Sequence, residues 1–489
     1  MMHGSEARIF QRAMIFRLFL IVCVFLIADV VTASARDPLP SSLINPDKLR
    51  YPELRFVIPK AEKIIMDNGL TVYFMEDHEV PLVTLSSVVR SGSVYDPPGK
   101  EGLAELTARV MRTGGTAEMT GSMVDDELEF LAAALNVIMD RESGAASLSI
   151  MKKDLDIGLK IFSQILMTPA FEDDRLKLAK NLKIEALKRI ADDPQKLAFR
   201  EFNRLLYRNN ARGRLPTQAS VQTIQRDDLV SFHKQFFSPG NIMLAITGDI
   251  TRDEAMNKIR QYLGSWRSHG KPVADIDPPT KQKGRVYFLP KSVPQAVIIY
   301  GHLAPAENDM DHYPFEILNF IIGSGGFKSR IFQEVRNNRG LAYSTGSFYH
   351  GRRDYGVFGA YAMTKSESAV DSLSVINSIL ADVKKDGVTD DEIGRAKKSI
   401  INSFIFSFLS ADQIAYQQLM SEYNRLPDDY LEKFRERINV AHSNQLKKAA
   451  AKYLLGDDAV IFVLGEEKIF DQLRSTFGDV QRIEGPFPE

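Results

Sequence analysis

Alternating runs of apolar and polar positions predict a chain built from both strands and helices. The segment "KIIMDNGLTVYFMED" carries apolar runs on either side of Asn68-Gly69, a dipeptide typical of tight turns, and so predicts a β-hairpin. The run "VPLVTLSSVV" that follows is apolar enough for a buried strand. Helical spacing of apolar residues then predicts helices at Gly102–Met111, Leu155–Leu166 and Asp174–Ile190.

One further helix and a central strand complete this pattern. Ser122 and Asp125 have the spacing of a capping box, and the positions behind them predict a helix that runs through Leu135. The segment "NIMLAITGD", which contains Gly248, predicts a central strand. Mixed strands and helices of this kind indicate the α+β class.

A proline-rich stretch divides the chain into two similar halves. Residues 269–284 read "HGKPVADIDPPTKQKG", which has almost no apolar periodicity and is typical of a linker. Beyond it, Val72-Tyr73-Phe74 returns as Val286-Tyr287-Phe288, and the strand before Gly248 returns before Gly465, each displaced by roughly 215 residues. Equal offsets at both ends indicate an internal duplication.

The duplication predicts two homologous α/β-sandwich domains within an α+β fold. We place them at residues 61–268 and 285–489, after a lead-in at 36–60. The whole chain has 489 residues, which is more than one ordinary hydrophobic core accommodates.

The first 35 residues have the order of a secretory signal. Arg8, Arg12 and Arg17 precede the apolar run Leu18–Ala28, and the small residues Ala33-Ser34-Ala35 follow. We expect cleavage near Ala35 and an exported mature protein. The alternative is an uncleaved anchor, although the run is only about half of the ~20 residues that a bilayer crossing needs.

Composition narrows the classes of function. Apolar residues make up 44% of the chain, charged residues 26%, and the net charge is -1. These values exclude a disordered chain and a global basic field, so we expect no nucleic-acid partner. The single cysteine, Cys23, lies inside the signal, and the mature protein is therefore expected to hold no disulfide and no cysteine metal ligand.

Several motifs together resemble the pitrilysin/insulinase metallopeptidases, also called inverzincins. They are "NGLTVYFMEDHEVPLV", "VRSGSVYDPPGKEGLAEL", "FHKQFFSPGNIMLAITGD" and "GSGGFKSRIFQEVRNNRGLAYS", and the resemblance covers nearly the whole mature chain. In active members the helix after the Gly-Leu pair carries H-x-x-E-H. Its two histidines bind zinc from one helical face, and its glutamate activates the water on the metal.

The five matching positions of this chain lack that chemistry. They read Glu105-Leu106-Thr107-Ala108-Arg109, and Glu185 matches the family's third ligand. One carboxylate does not make a zinc site, so we expect this chain to bind no zinc. We predict instead an ion cluster in which Arg109 bridges Glu105 and Glu185. The alternative is an ordinary surface salt bridge.

The second half keeps the family's substrate-side features. Arg336 and Tyr343 match an arginine and a tyrosine that complete the active site of the family from a different domain than the zinc helix. An arginine fork binds carbonyl or carboxylate oxygens, and a tyrosine hydroxyl donates to an oxyanion. Gly325 and Gly326, in a glycine-rich turn, are expected to contact the peptide. The alternative roles are a solvated arginine, a core tyrosine and simple helix punctuation.

The resemblance implies the non-catalytic subunit of a two-chain zinc metalloendopeptidase. The expected partner is a homologous chain that carries H-x-x-E-H and the zinc, and the expected substrate is an unfolded peptide. With the export signal, this points to the bacterial periplasm or cell envelope and to no membrane span in the mature chain. An inactive homodimeric scaffold or peptide-binding protein of the same fold is the alternative.

Overall fold

The computed structural model of this protein describes residues 56–268, 273–454 and 456–485. The predicted signal at 1–35, most of the lead-in and residues 269–272 of the linker lie outside the described residues. The described residues from Val57 onwards form one compact unit that contains two six-stranded sheets.

The first half alternates strands and helices around one sheet. Its strands are β1 (Glu62–Ile65), β2 (Thr71–Glu76), β3 (Leu82–Val89), β4 (Ala134–Met139), β5 (Gly144–Met151) and β6 (Ile242–Gly248). Its helices are α1 (Leu103–Thr113), α2 (Gly121–Phe130), α3 (Leu155–Met167), α4 (Asp173–Lys188), α5 (Pro194–Leu206), α6 (Gln218–Thr223), α7 (Arg226–Phe236) and α8 (Arg252–Leu263). Strand β6 is buried along almost its whole length, as its apolar run predicts.

The second half repeats this arrangement. Its strands are β7 (Arg285–Pro290), β8 (Ala296–Ala304), β9 (Ala342–Gly351), β10 (Gly356–Thr364), β11 (Val460–Gly465) and β12 (Val480–Arg482). Its helices are α9 (His312–Asn319), α10 (Ala369–Asp386), α11 (Asp390–Phe404), α12 (Ala411–Tyr423), α13 (Tyr430–Val440), α14 (Ser443–Tyr453) and α15 (Phe470–Phe477). Two π-helical segments, Phe320–Ser324 and Phe332–Asn338, lie between α9 and β9.

The two sheets share one strand order, which confirms the predicted fold class. The orders are β1-β2-β6-β3-β5-β4 and β12-β7-β11-β8-β10-β9. In each sheet a parallel pair, β2 with β6 or β7 with β11, is followed by an antiparallel neighbour, β3 or β8. Only the outermost strand differs, because β1 runs antiparallel to β2 whereas β12 runs parallel to β7. The domain boundaries proposed above stay predictions.

Local signals near the start of the first half are partly confirmed. Strands β1 and β2 form the predicted hairpin, and Gly69 adopts φ +87 in its loop, where glycine carries no steric penalty. The helix predicted to run through Leu135 is wrong at its end, because α2 stops at Phe130 and Leu135 lies in β4. Its cap is Thr120, whose side chain accepts from the N–H of Met123.

One helix of each half packs on the sheet of the other half. Helix α5 of the first half buries Leu197, Phe202 and Leu206 against residues of β8 and β11, including Ile299 and Phe462. The approach is close, since a methyl group on Gly301 would lie 2.6 Å from Cζ of Phe202. Burial of each such Phe or Leu side chain contributes about 1.5–3 kcal/mol.

The reciprocal contact is made by α12 of the second half. Its Ala415 and Leu419 pack on Tyr73 and Ala245 of the first sheet. The duplicated tripeptide explains the symmetry, because the middle residue of each copy, Tyr73 or Tyr287, faces the helix lent by the other half while its neighbours face the domain's own core. The two sheets are thus joined by more than the linker.

The described part of the linker, residues 273–284, contains no regular element and is fastened to the first half. The carbonyl of Asp277 accepts from Arg212 at 2.7 Å and from Asn210 at 3.0 Å, and the carbonyl of Ala274 accepts from Tyr95 at 3.0 Å. Within the described ranges, no helix combines the length and the apolar character that a bilayer crossing demands.

Candidate functional site

Helix α1 begins at a left-handed glycine and a buried carboxylate. Gly102 has φ +105. Asp96, 2% exposed, accepts from the N–H of Gly102 at 2.7 Å and from that of Ala104 at 2.8 Å, so it satisfies two free donors of the helix start. Burial raises the pKa of Asp96 to about 7, against the opposing effect of these two hydrogen bonds.

The middle of α1 belongs to the core of the first half. Leu106, Thr107 and Ala108 are at most 1% exposed, and the Thr107 hydroxyl donates to the carbonyl of Leu103 at 2.8 Å. Ala108 occupies the position of the family's general base. Its methyl group cannot accept a proton, so this position contributes packing rather than catalysis.

The carboxylate of Glu105 pairs with Lys183 of the neighbouring helix α4. The Lys183 side chain is only 18% exposed, and α4 packs directly on α1. A half-buried pair of this kind neutralises Glu105 within the helix interface. Sequence reasoning missed Lys183, which lies two positions before the residue singled out on α4.

The predicted bridge through Arg109 is wrong. Arg109 is exposed, and among the described residues its side chain takes part in no ion pair, whereas Glu185 pairs with Lys188 of its own helix at 2.8 Å. The reason is the rotation of α4 about its axis, which turns Lys183 towards α1 and leaves the Glu185 side chain 54% exposed. The alternative, an ordinary surface salt bridge between Glu105 and Arg109, does not form either, because Glu105 pairs with Lys183.

The residues at these positions do not fit a zinc ion. Zinc takes histidine, cysteine or carboxylate ligands. Here the two histidine positions are occupied by Glu105, whose carboxylate pairs with the Lys183 ammonium group, and by Arg109, which is a cation. In the described part of the chain, no cluster of three or more such ligands has the geometry to hold a metal. The expectation that this chain binds no zinc stays a prediction.

Arg336 and Tyr343, predicted from sequence spacing, lie side by side in the second half. The guanidinium carbon of Arg336 lies 5.3 Å from the centre of the Tyr343 ring and 4.8 Å from that of Phe332. Both distances are within the range of cation–π attraction. The two residues also line one groove of about 370 Å³ beside β9.

The polar ends of this pair are free. Tyr343 is 75% exposed on the outermost strand β9, and in the described residues neither its hydroxyl nor the guanidinium of Arg336 has a hydrogen-bond partner. Arg336 sits on a π-helical segment, a feature common at functional sites. The aromatic rings hold the guanidinium while its N–H groups remain available to a ligand.

The glycine turn lies in a neighbouring groove rather than in the Arg336–Tyr343 groove. Gly325 and Gly326 line a depression together with Phe327 and Arg395. Gly326 adopts φ +65. The two grooves are linked by ring contacts, because Phe327 packs edge-on against Phe332 at 4.9 Å.

Phe327 and Phe332 are site residues that sequence reasoning missed as such. Phe327 is 72% exposed, an unusual state for a phenylalanine, and Phe332 is buried beneath Arg336. Together with Arg336 and Tyr343 they form a continuous row, which we call the aromatic–arginine row. Their position five residues apart in "FKSRIF" between the glycine turn and Arg336 was the only available signal.

Comparison with known families matches both halves. The model described as insulinase (peptidase family M16) matches residues 71–217, which include Glu105 and Glu185. The model described as the peptidase M16 inactive domain matches residues 223–400, which include Arg336 and Tyr343. This chain belongs to peptidase family M16. The recognition made from sequence motifs is thereby confirmed.

Two curated relatives carry the name zinc protease. An uncharacterised zinc protease of Rickettsia bellii is 25% identical over 358 residues, which is 72% of this chain and 84% of the relative. One from Streptomyces coelicolor is 26% identical over 347 residues, which is 69% of this chain and 75% of the relative. This chain is similar to them over most of their length.

Several solved structures have the same fold. A peptidase M16 inactive domain from Pseudomonas fluorescens matches with a TM-score of 0.76 and 26% identity, covering 83% of this chain and 98% of that chain. A protease from Helicobacter pylori matches with a TM-score of 0.74 and 18% identity, covering 83% and 99%. The periplasmic protease PqqL from Escherichia coli matches with 0.71 and 16%, covering 86% of this chain and 49% of that chain.

Proposed function

We propose that this chain is the non-catalytic subunit of a heteromeric zinc metalloendopeptidase that degrades or processes peptides. Its role is to supply Arg336 and Tyr343 to a homologous partner chain that carries H-x-x-E-H and the zinc. The substrate is an unfolded peptide held between the two subunits.

The single observation that carries this proposal is the free, preoriented Arg336–Tyr343 pair. A guanidinium held by two rings, at 4.8 and 5.3 Å, loses little side-chain freedom when it binds a carbonyl or carboxylate. The Tyr343 hydroxyl, exposed on β9, is a donor for an oxyanion that forms on a bound peptide. Within the described residues both donors are uncommitted, so a peptide oxygen can replace the water that binds them.

The residues of α1 support the proposal that the zinc and the base come from the partner chain. Glu105 is neutralised by Lys183, and Ala108 offers no proton acceptor, so the water-activating step requires a group from another chain. The name zinc protease among the relatives agrees with the peptidase chemistry of the pair.

We further propose that the chain is exported to the periplasm, in line with the order of residues 1–35 and with the periplasmic neighbour PqqL.

The test is peptidase activity in a reconstituted mixture. The purified mature chain is assayed alone, with zinc, and with the H-x-x-E-H homologue from the same source, on an unstructured fluorogenic peptide. We expect turnover only in the mixture. Arg336→Ala and Tyr343→Phe are each expected to lower kcat/KM by about 10²–10³, the effect of removing one oxyanion donor.

Arg339→Ala is the matched control. Arg339 is exposed three residues from Arg336 and lies 3.7 Å from Glu334, outside the aromatic–arginine row. Its loss is expected to leave the turnover of the mixture unchanged. A homologue that is fully active alone and does not associate with this chain would contradict the proposal and favour the inactive scaffold or peptide-binding protein.

A further inference from the structure

A cavity lies where the two halves and the linker meet, away from the aromatic–arginine row. It has a volume of about 410 Å³, within the range of sites that hold small ligands. The first half contributes Tyr95, the linker Ile276, the β9–β10 turn Tyr355 and helix α12 Tyr423. We call it the seam cavity.

Charged side chains dominate the lining of the seam cavity. Five arginines and three carboxylates face it. They are Arg90, Arg212, Arg352, Arg353 and Arg425, with Glu142, Asp275 and Asp354. Positive charges therefore outnumber negative charges in the lining. Because the site is partly shielded from water, electrostatic attraction for an anion is stronger here than on an open surface.

Both carboxylate oxygens of Glu142 already have a hydrogen-bond or ion-pair partner. Arg212, 4% exposed, pairs with it at 2.6 Å, and the Tyr355 hydroxyl donates to its second oxygen at 3.0 Å. The same guanidinium lies 4.8 Å from the centre of the Tyr355 ring. Arg212 is therefore a structural element of the cavity wall.

The other two carboxylates are satisfied as well. Asp275 of the linker accepts from Arg353 and from Arg425, both at 2.8 Å. Asp354 accepts from Arg353 at 2.9 Å. These pairs fasten the linker to both the β9–β10 turn and the end of α12.

Arg90 and Arg352 attract carboxylates only at longer range, Glu422 for Arg90 and Glu307 for Arg352. Among the described residues no carboxylate lies within 4.0 Å of either guanidinium. The Arg90 guanidinium donates to the sulfur of Met243 at 3.7 Å, and in the described part of the chain the hydrogen bonds of Arg352 are made by its main chain, with Glu307 and Tyr355. Each therefore retains nearly all of its hydrogen-bond donors.

We infer that the seam cavity binds an oxyanion, a carboxylate or phosphate group, through Arg90 and Arg352. The planar guanidinium fork matches both kinds of group, and two arginines from different halves compensate two negative charges. The ligand is either a free organic acid or phosphate, or the C-terminal carboxylate of a short peptide. Because Arg90 follows β3 and Arg352 follows β9, a bound anion also ties the two sheets together.

The test is calorimetric titration of the full mature chain, with melting temperature as a second readout. The probes are citrate, inorganic phosphate, an acetylated pentapeptide with a free carboxylate and the same peptide as its C-terminal amide, with sodium chloride at equal ionic strength as reference. We expect saturable binding with a Kd below about 1 mM, equivalent to about −4 kcal/mol. Binding also raises the melting temperature.

The decisive variant is Arg90→Gln/Arg352→Gln, which removes the two unpaired arginines and leaves every ion pair of the cavity in place. Arg339→Gln/Arg482→Gln removes the same charge outside the cavity and is the matched control. We expect at least tenfold weaker binding in the first variant and no change in the second.

The outcomes separate the ligand sources. Binding of the free-acid peptide but not of its amide identifies a peptide C-terminus, and binding of citrate or phosphate alone identifies a free anion. Absence of saturable binding by all probes, or equal binding by wild type and the Arg90/Arg352 variant, overturns the inference. None of these readouts depends on peptidase activity, so failure here is distinct from failure of the proposed function.

Discussion

Lys183 on α4 forms an ion pair with Glu105 on α1, across the interface where an active relative would place its metal ligands. The lysine contributes a positive charge next to the first ligand position. Restoring histidines to α1 therefore does not restore a metal site by itself.

Glu105→His/Arg109→His is expected to bind far less than one zinc per chain, because Lys183 repels the cation and Glu185 lies turned away. Adding Lys183→Glu replaces the repelling charge by a third ligand and is expected to raise zinc content towards one per chain. Zinc is measured by atomic absorption after dialysis. Lys188→Glu, on the exposed side of α4, is the control, and full loading with Lys183 in place would contradict this reasoning.

Phe332 acts as a positioning residue for Arg336. Phe332→Leu removes one of the two rings that hold the guanidinium, a cation–π contact of about 0.5–1 kcal/mol. We expect a loss of roughly two- to fivefold in kcat/KM of the mixture, mainly through KM. The melting temperature is recorded in parallel, and a loss as large as that of Arg336→Ala, without unfolding, argues for a direct role of Phe332.

Substitutions at and near Phe202 test whether the packing of α5 on the second sheet holds the two halves together. Phe202→Ala leaves a cavity between α5 and β8 and is expected to lower the free energy of unfolding by about 3–5 kcal/mol. Gly301→Ala is expected to destabilise as well, because its methyl group meets the Phe202 ring. In urea, both variants are expected to keep a single transition. Two separate transitions would mean that the halves unfold independently.

The pattern of apolar residues predicted most of the fold. The hairpin at Asn68-Gly69 follows from short-range turn chemistry, and the duplicated sheets follow from segments that repeat at an equal offset along the sequence. The wrong end of α2 has a tertiary cause. The segment "LAAAL" suits a helix as well as a strand edge, and the pairing of Leu135 with Leu148 of β5 decides between the two.

The site was predictable only in part. Arg336 and Tyr343 were found because their spacing survives in a recognisable motif. Lys183 was not, because which face of α4 contacts α1 depends on packing between two helices distant in sequence. The exchange of α5 and α12 was missed for the same reason, since their apolar faces carry no sign of which sheet they cover.

Acid stability is expected to depend on Glu392 at the start of α11. Its carboxylate accepts from Arg330 at 2.7 and 2.8 Å, which lowers its pKa to about 2. A lowered folded-state pKa stabilises the protein above about pH 4.5, and this contribution is lost as the pH falls through about 2. The urea midpoint of Glu392→Gln should therefore lie below that of wild type at pH 6 and approach it near pH 2.

Glu334→Gln is the control for this measurement. The Glu334 carboxylate lies 3.7 Å from Arg339 on an exposed surface, so its removal is expected to change the midpoint little at either pH. A gap between wild type and Glu392→Gln that stays constant from pH 6 to pH 2 would rule out titration of Glu392 as the cause.

Helix α5 packs on the second sheet and α12 on the first, and this packing has consequences for cleavage of the linker and for separate expression of the two halves. Cleavage of the linker severs the covalent path between the sheets but leaves Phe202 seated on one and Leu419 on the other, so a nicked protein remains associated. Either half expressed alone exposes an apolar sheet face and an orphan amphipathic helix, the ingredients of aggregation. We therefore expect stable protein from a gene split at the linker only when both fragments are made together.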